Sequence, residues 1–172
     1  ITDEVSIKEA LNLIIKKENR IDVLVNNAGY GSYGAVEDVR IEEAKMQFEV
    51  NIFGLARLTQ LVLPYMRKQK SGRIINVGSM GGRLTSYFGA WYHATKYALE
   101  AFSDGLRMEV ADFGIDVSII EPGGIKTDWG FIAADKLAES AKGQLGYSSA
   151  DVNPSVGKVS LIGVGMKTHP GV

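Results

Sequence analysis

Three short apolar runs organise this chain: residues 21–25, 73–77 and 115–120. Each runs into residues that stop a strand, namely Asn26-Asn27-Ala28-Gly29, Gly78-Ser79 and Pro122-Gly123-Gly124. Stretches with helical spacing precede and separate them. Residues 6–18 put Ile7, Ala10, Leu11, Ile14 and Ile15 on one face, and Thr2-Asp3-Glu4 supplies N-cap candidates. Residues 41–70 read as a long helical region with Phe48, Ile52, Leu55, Leu58, Leu61 and Val62 as its apolar set. Pro64 predicts a kink or break near the end of that region. Residues 90–113 predict a further long helix, with Gly114 suited to its C-terminal cap. Strands that alternate with helices and are apolar throughout predict a parallel sheet covered on both faces. In such a fold the ligand lies beyond the carboxyl ends of the strands, where the three turn clusters converge.

The 172 residues suffice for one domain with a substantial core. A formal net charge of −1 gives no global field toward nucleic acid or an anionic membrane, so neither is expected as a partner. The absence of cysteine excludes disulfides, thiolate metal sites and cysteine nucleophiles, and no metal is expected. No apolar run approaches the roughly 20 residues that span a bilayer. These features fit a cytoplasmic protein.

Tyr92 and Lys96 stand four apart in the helix predicted over 90–113, so they share a face. A phenol titrates near 10 when unperturbed and is a poor acid or base at neutral pH. An adjacent ammonium favours the phenolate, so the pair predicts a lowered Tyr92 pKa and proton transfer near neutral pH. Taken alone, such a pair is more often a core tyrosine beside a solvated lysine. Ser79 stands at a strand end, where a turn residue is the plain alternative. Asn51 interrupts a helical run, where a satisfied polar residue or a kink is the plain alternative. His93, about 100° round the helix from Tyr92, is expected in a surface or packing role. Trp129 and Phe131 either line an apolar pocket or pack.

Asn26-Asn27-Ala28-Gly29, Asn51, Ser79, Tyr92-His93-Ala94-Thr95-Lys96 and Pro122-Gly123 follow one another in the order and approximate spacing of the short-chain dehydrogenase/reductase family. The chain resembles that family over about residues 1–142. The resemblance implies an α/β fold: a partial Rossmann-type, doubly wound parallel sheet lacking its first βαβ unit. It also implies NADP or NAD as cofactor, and hydride transfer between that cofactor and a small-molecule carbonyl or alcohol. By resemblance, Tyr92 is the general acid or base and Lys96 lowers its pKa and binds the nicotinamide ribose. Ser79 holds the substrate oxygen, and Asn51 positions a relay water. Asn26, Ala28 and Gly29 lie along the adenosine side. Pro122, Gly123, Ile125 and Thr127 contact the nicotinamide end. Gly29-Tyr30-Gly31, Leu63-Pro64-Tyr65-Met66-Arg67, Leu106-Arg107-Met108-Glu109 and Ile120-Glu121-Pro122-Gly123 look like the subgroup with retinol and hydroxysteroid dehydrogenases, which tilts the cofactor toward NADP. The two long helices resemble those that build subunit interfaces in the family, so a homo-oligomer is expected.

The Thr-Gly-x-x-x-Gly-x-Gly turn with which the family grips pyrophosphate does not occur in these 172 residues. The first domain is expected over residues 1–143. Residues 144–172 look foreign to it: the run from Val159 to Val172, with Gly165-Met166-Lys167-Thr168-His169-Pro170-Gly171, resembles the strand and turn that open an ACT module of aspartate kinases. Three functions are therefore weighed: an NAD(P)-dependent oxidoreductase, an inactive fragment or chimera that keeps the catalytic residues without binding cofactor, and a regulatory module centred on the tail.

Overall fold

The computed structural model describes residues 1–125 and 159–162. In chain order the elements are α1 (Glu4–Glu18), β1 (Val23–Asn26), α2 (Ile41–Phe48), a π-helical turn (Glu49–Gly54), α3 (Leu55–Gln69), β2 (Gly72–Val77), a 3₁₀ turn (Met80–Gly82), α4 (Ala90–Val110), a second 3₁₀ turn (Ala111–Phe113), β3 (Ile115–Pro122) and β4 (Val159–Ile162). The strands form one sheet in the order β1-β2-β3-β4. The first three are parallel: Leu24 pairs with Ile74 and Ile74 with Val117, so the three carboxyl ends share one edge. β4 joins antiparallel to β3, with Ile119 opposite Ile162. The rest of the expected foreign tail, including its ACT-like turn, lies outside the described residues, as do Thr127, Trp129 and Phe131.

α1 begins at Asp3, whose carboxylate accepts from the Val5 and Ser6 amides at 2.9 and 3.2 Å and so fills two of the orphan donors of the first turn. The core gathers Leu11 of α1, Val62 and Met66 of α3, and Leu106 and Val110 of α4 over Leu24, Ile74 and Val117 of the sheet. Because side chains alternate across a strand, Asn26, Asn76 and Ile119 follow on the same covered face. Asn26 donates to Thr59 Oγ1 at 3.1 Å and to Asn76 Oδ1 at 2.9 Å, and Asn76 donates to Ser103 Oγ at 2.8 Å. This polar chain ties two strand ends to α3 and α4 immediately beneath the cleft described below.

Two expectations need correction. The sheet is not covered on both faces at β1, where Val23 and Val25 are 51% and 53% exposed. Nor does Pro64 break the helix, for α3 continues through it to Gln69. The irregularity comes earlier, in the π-helical turn that contains Asn51. The helix predicted to Phe113 tightens after Val110 into a 3₁₀ turn, and Gly114 ends it at φ 68°. A Cβ on Gly114 would stand 2.5 Å from the Lys70 carbonyl oxygen, a backbone atom that cannot move aside cheaply. Gly114→Ala is therefore expected to cost about 2 kcal/mol or more, from left-handed strain and this clash together. Urea unfolding checks it, and an unchanged midpoint would contradict the account.

Candidate active site

A cleft of about 330 Å³ opens at the carboxyl ends of β1, β2 and β3. Its walls are Asn27, Gly29 and Tyr30 after β1, Val77, Gly78 and Ser79 at the end of β2, Tyr92 and Lys96 from α4, and Pro122, Gly123 and Ile125 after β3. Of the residues singled out in the sequence, Gly29, Ser79, Tyr92, Lys96, Pro122, Gly123 and Ile125 line it. Asn51 lies behind it. Asn26 and Ala28 do not face it: they border a small hollow of about 40 Å³ with Val25 and Leu55, and the Asn26 amide is turned into the polar chain beneath the sheet edge. A larger apolar hollow of about 610 Å³ lies between α1, β1 and α3. Its charged lining residues, Arg20 and Asp22, are paired with each other, so it offers shape without reactive groups.

Ser79 caps the 3₁₀ turn that follows β2, its hydroxyl accepting from the Gly81 amide at 3.0 Å. That leaves the hydroxyl proton available, and Ser79 is hydrogen-bonded to the Tyr92 phenol. The turn can lie on α4 because Gly81 has no side chain. A Cβ there would come within 2.9 Å of His93 Nδ1 and 3.1 Å of Tyr92 Cε1. His93 is buried, not at the surface: its Nδ1 meets the Gly81 carbonyl at 2.9 Å, and its Nε2 accepts from the Ser86 amide at 3.1 Å. With both ring nitrogens engaged, His93 packs the turn against the helix.

Burial pushes the Tyr92 phenol above its ordinary value, and the hydrogen bond from Ser79 opposes that rise. The expected lowering by Lys96 is thus reversed. The Lys96 ammonium is 5.9 Å from the Tyr92 ring centroid and donates to the Val77 carbonyl at 3.0 Å. Helical spacing puts the two on one face, but desolvation decides the sign of the shift. Lys96 itself is pushed down to about 8 by burial, with the Glu100 charge opposing. Tyr33, which sequence reasoning passed over, stacks beside Tyr92 with ring centroids 5.5 Å apart. Its phenol is also pushed up by burial, with Tyr92 adding to the effect.

Asn51 is 2% exposed, and its side chain bridges two walls. Oδ1 accepts from the Tyr30 amide at 3.0 Å, while Nδ2 donates to the Tyr30 carbonyl at 2.8 Å and to Thr95 Oγ1 at 3.0 Å. Thr95 in turn donates to the Tyr92 carbonyl at 2.8 Å. Both amide hydrogens are consumed, so any further ligand of Asn51 must donate to Oδ1 or to the backbone carbonyl. A Cβ on Gly29 would stand 3.1 Å from Asn51 Oδ1 and 3.8 Å from Lys96 Nζ. Glycine at this position leaves the floor of the cleft open to a closely approaching ligand. Sequence reasoning missed Tyr30 and Val77 as lining residues, although each is next to a residue it named, whereas Asn27 and Gly78 belong to the turn clusters it placed at this edge.

Residues 1–136 match the family described as short chain dehydrogenase. A probable short-chain type dehydrogenase/reductase, VdlC of Helicobacter pylori, is 45% identical over 129 residues, which are 75% of this chain and 48% of that protein. Among solved structures, ElxO with NADP bound is 32% identical at a TM-score of 0.70, covering 86% of this chain and 56% of that one. NAD⁺-bound xylitol dehydrogenase is 28% identical at a TM-score of 0.75, covering 90% and 58%. The chain thus spans about half the length of the curated relatives it matches. The family match ends before the ACT-like run, which no comparison supports.

Proposed function

The chain belongs to the short-chain dehydrogenase family, and on that premise we propose that it carries the acid–base machinery of an NAD(P)-dependent oxidoreductase acting on a small carbonyl or alcohol. The convergence of Ser79, Tyr92 and Lys96 on one cleft at the ends of three parallel strands carries the reading. The cleft fits the nicotinamide end of a dinucleotide: Gly29 leaves its floor open, and Pro122, Gly123 and Ile125 form the facing wall. A bound reduced nicotinamide would supply a hydride to the carbonyl carbon. Thr127 belongs to this proposal by resemblance alone, as do Asn26 and Ala28 on the adenosine side. Between the two dinucleotides we favour NADP, from the likeness to the retinol and hydroxysteroid subgroup.

In this reading the Ser79 hydroxyl and the Tyr92 phenol both donate to the substrate oxygen. As negative charge builds on that oxygen, the Tyr92 O–H bond breaks and the proton completes the alcohol. The phenol pushed up by burial is protonated at neutral pH, as an acid must be before reduction begins. Lys96 then stabilises the phenolate and helps return its proton. A relay water at Asn51 would donate to Oδ1 or the backbone carbonyl. Ser79→Ala is expected to lower kcat for reduction about a hundredfold with little change in KM, the signature of a donor that matters most as charge develops. Loss of nicotinamide absorbance with a panel of aldehydes and ketones, under NADPH and NADH in turn, measures it. An unaltered kcat removes Ser79 from the proposal.

The Lys96 value sets a pH dependence. Below about 8 Lys96 is an ammonium and can support the phenolate; above, it is neutral and cannot. The kcat/KM for reduction is therefore expected to be flat near neutral pH and to fall through a midpoint near 8. A rate rising through that range would contradict the role.

Further expectations remain proposals. Residues 1–143 form the catalytic unit. Apolar side chains exposed on the long helices, among them Phe53, Tyr97 and Met108, suit a homo-oligomer. Among the described residues no helix is long and apolar enough to cross a membrane, and a cytoplasmic setting stays an inference from composition. A fluorescence titration with NADPH tests whether these residues bind the cofactor, as the oxidoreductase reading requires.

A further inference from the structure

One buried charge cluster takes no part in the steps above. Arg83, next after the 3₁₀ turn, donates through Nε to Glu121 Oε1 and through a terminal nitrogen to Glu100 Oε2, both at 2.7 Å. The side chains of Glu100 and Glu121 are 8% and 3% exposed, while that of Arg83 is 39% exposed. Glu100 stands one helical turn beyond Lys96 on α4, and Glu121 immediately precedes Pro122 at the end of β3. Two glycines admit this arrangement. A Cβ on Gly78 would come within 3.2 Å of a Glu100 carboxylate oxygen, and one on Gly82 within 3.0 Å of Glu100 Cγ. One guanidinium therefore fastens the three segments that wall the cleft: the turn bearing Ser79, the helix bearing Tyr92 and Lys96, and the strand end bearing Pro122 and Gly123.

The charges also balance. Lys96 and Arg83 supply two cations, and Glu100 and Glu121 two anions. A buried ammonium without a counter-ion loses its proton, because burial penalises the charged form. Lys96 Nζ donates to the Val77 carbonyl on β2 and stands over the Tyr92 ring of α4, with Ser79 in the same cleft and Asn51 behind Gly29. Among the described residues the acids of the adjoining cluster are Glu100 and Glu121, both bound by Arg83; Glu100, four residues on along α4, is the one whose charge acts on Lys96. We propose that Glu100, whose charge is shared between Arg83 and Lys96, is a positioning residue that keeps Lys96 protonated at the end of β2, and so sets the upper pH limit of the reaction. This deepens the oxidoreductase reading and rests on it for its consequence, although the charge coupling can be tested without turnover.

The test is the titration of the Lys96 side chain in the full chain, followed by carbon NMR of labelled lysine and assigned by the resonance lost in Lys96→Arg. The parent midpoint is expected near 8. In Glu100→Gln it is expected to fall by about one pH unit, as removal of an adjacent opposite charge dictates. General loosening of the helix would instead raise it toward that of a solvated lysine, so the sign separates a positioning role from a merely structural one. Glu109→Gln, at an exposed position of the same helix, should leave it unchanged. Should Glu100→Gln fail to fold, Arg83→Met serves: removing the competing cation leaves Glu100 to Lys96 and raises the midpoint, with α4 amide shifts retained. An unchanged or raised midpoint in Glu100→Gln, or an unchanged one in Arg83→Met, overturns the proposal and leaves the oxidoreductase reading standing. Failure of that reading, seen as full turnover in Tyr92→Phe, would leave the Lys96 titration intact.

Discussion

Tyr92→Phe is expected to lower kcat/KM for carbonyl reduction about a thousandfold, within the range by which a positioned general acid accelerates a reaction. The substitution removes one oxygen and keeps the ring. That ring is 5% exposed and lies between Tyr33 and His93, with centroids at 5.5 and 5.7 Å, so its packing survives. The hydrogen bond with Ser79 is lost, at a stability cost of about 1 kcal/mol. Because Ser79 still reaches the substrate oxygen, some rate should remain. Cofactor affinity should be nearly unchanged, since the other lining residues are untouched. The measurement pairs the rate of nicotinamide oxidation with a thermal melt and an NADPH titration. A rate within tenfold of the parent, from a folded and cofactor-binding variant, would show that some other group delivers the proton.

The difference between what the sequence disclosed and what it concealed is one of range. Tyr92 and Lys96 are visible as a pair because helical spacing is local, and Ser79 because β2 must end where its apolar run ends. The sign of the Tyr92 shift was not visible, since it depends on how much protein surrounds the phenol. Asn51 could be singled out as a poor helix former, but the π-helical turn around it is tertiary. Its amide is engaged on Tyr30 and Thr95, from segments 21 and 44 residues away in sequence. Pro64 misled because a proline removes one hydrogen bond without obliging a packed helix to end. Asn26 stands two residues after Leu24 in a strand, so it shares the covered face, and that alternation was legible in the sequence itself.

The same alternation yields a test of the one-sided sheet. Ile74 is fully buried, paired in register with Leu24 and Val117 and covered by Val62 and Met66 of α3. Ile74→Ala should therefore cost about 3 kcal/mol, the transfer of the lost methyl groups plus the cavity left in a close-packed site. For a domain of this size that lowers Tm by about 10 °C. Val25, on the neighbouring strand but on the opposite face, is 53% exposed, and Val25→Ala should cost under about 1 kcal/mol. Sequence alone ranks the two positions together, as β-branched residues in apolar strand runs. The ratio of their costs therefore measures coverage and not propensity. Equal losses would mean that the face bearing Val23 and Val25 is buried in solution, by a second copy or by further polypeptide. Unequal losses would assign the stability of β2, and so the position of Ser79 at its end, to the α3 and α4 face. Ile74→Ala should then also lower the rate of reduction through a displaced Ser79, although Ile74 touches neither cofactor nor substrate in the proposed mechanism.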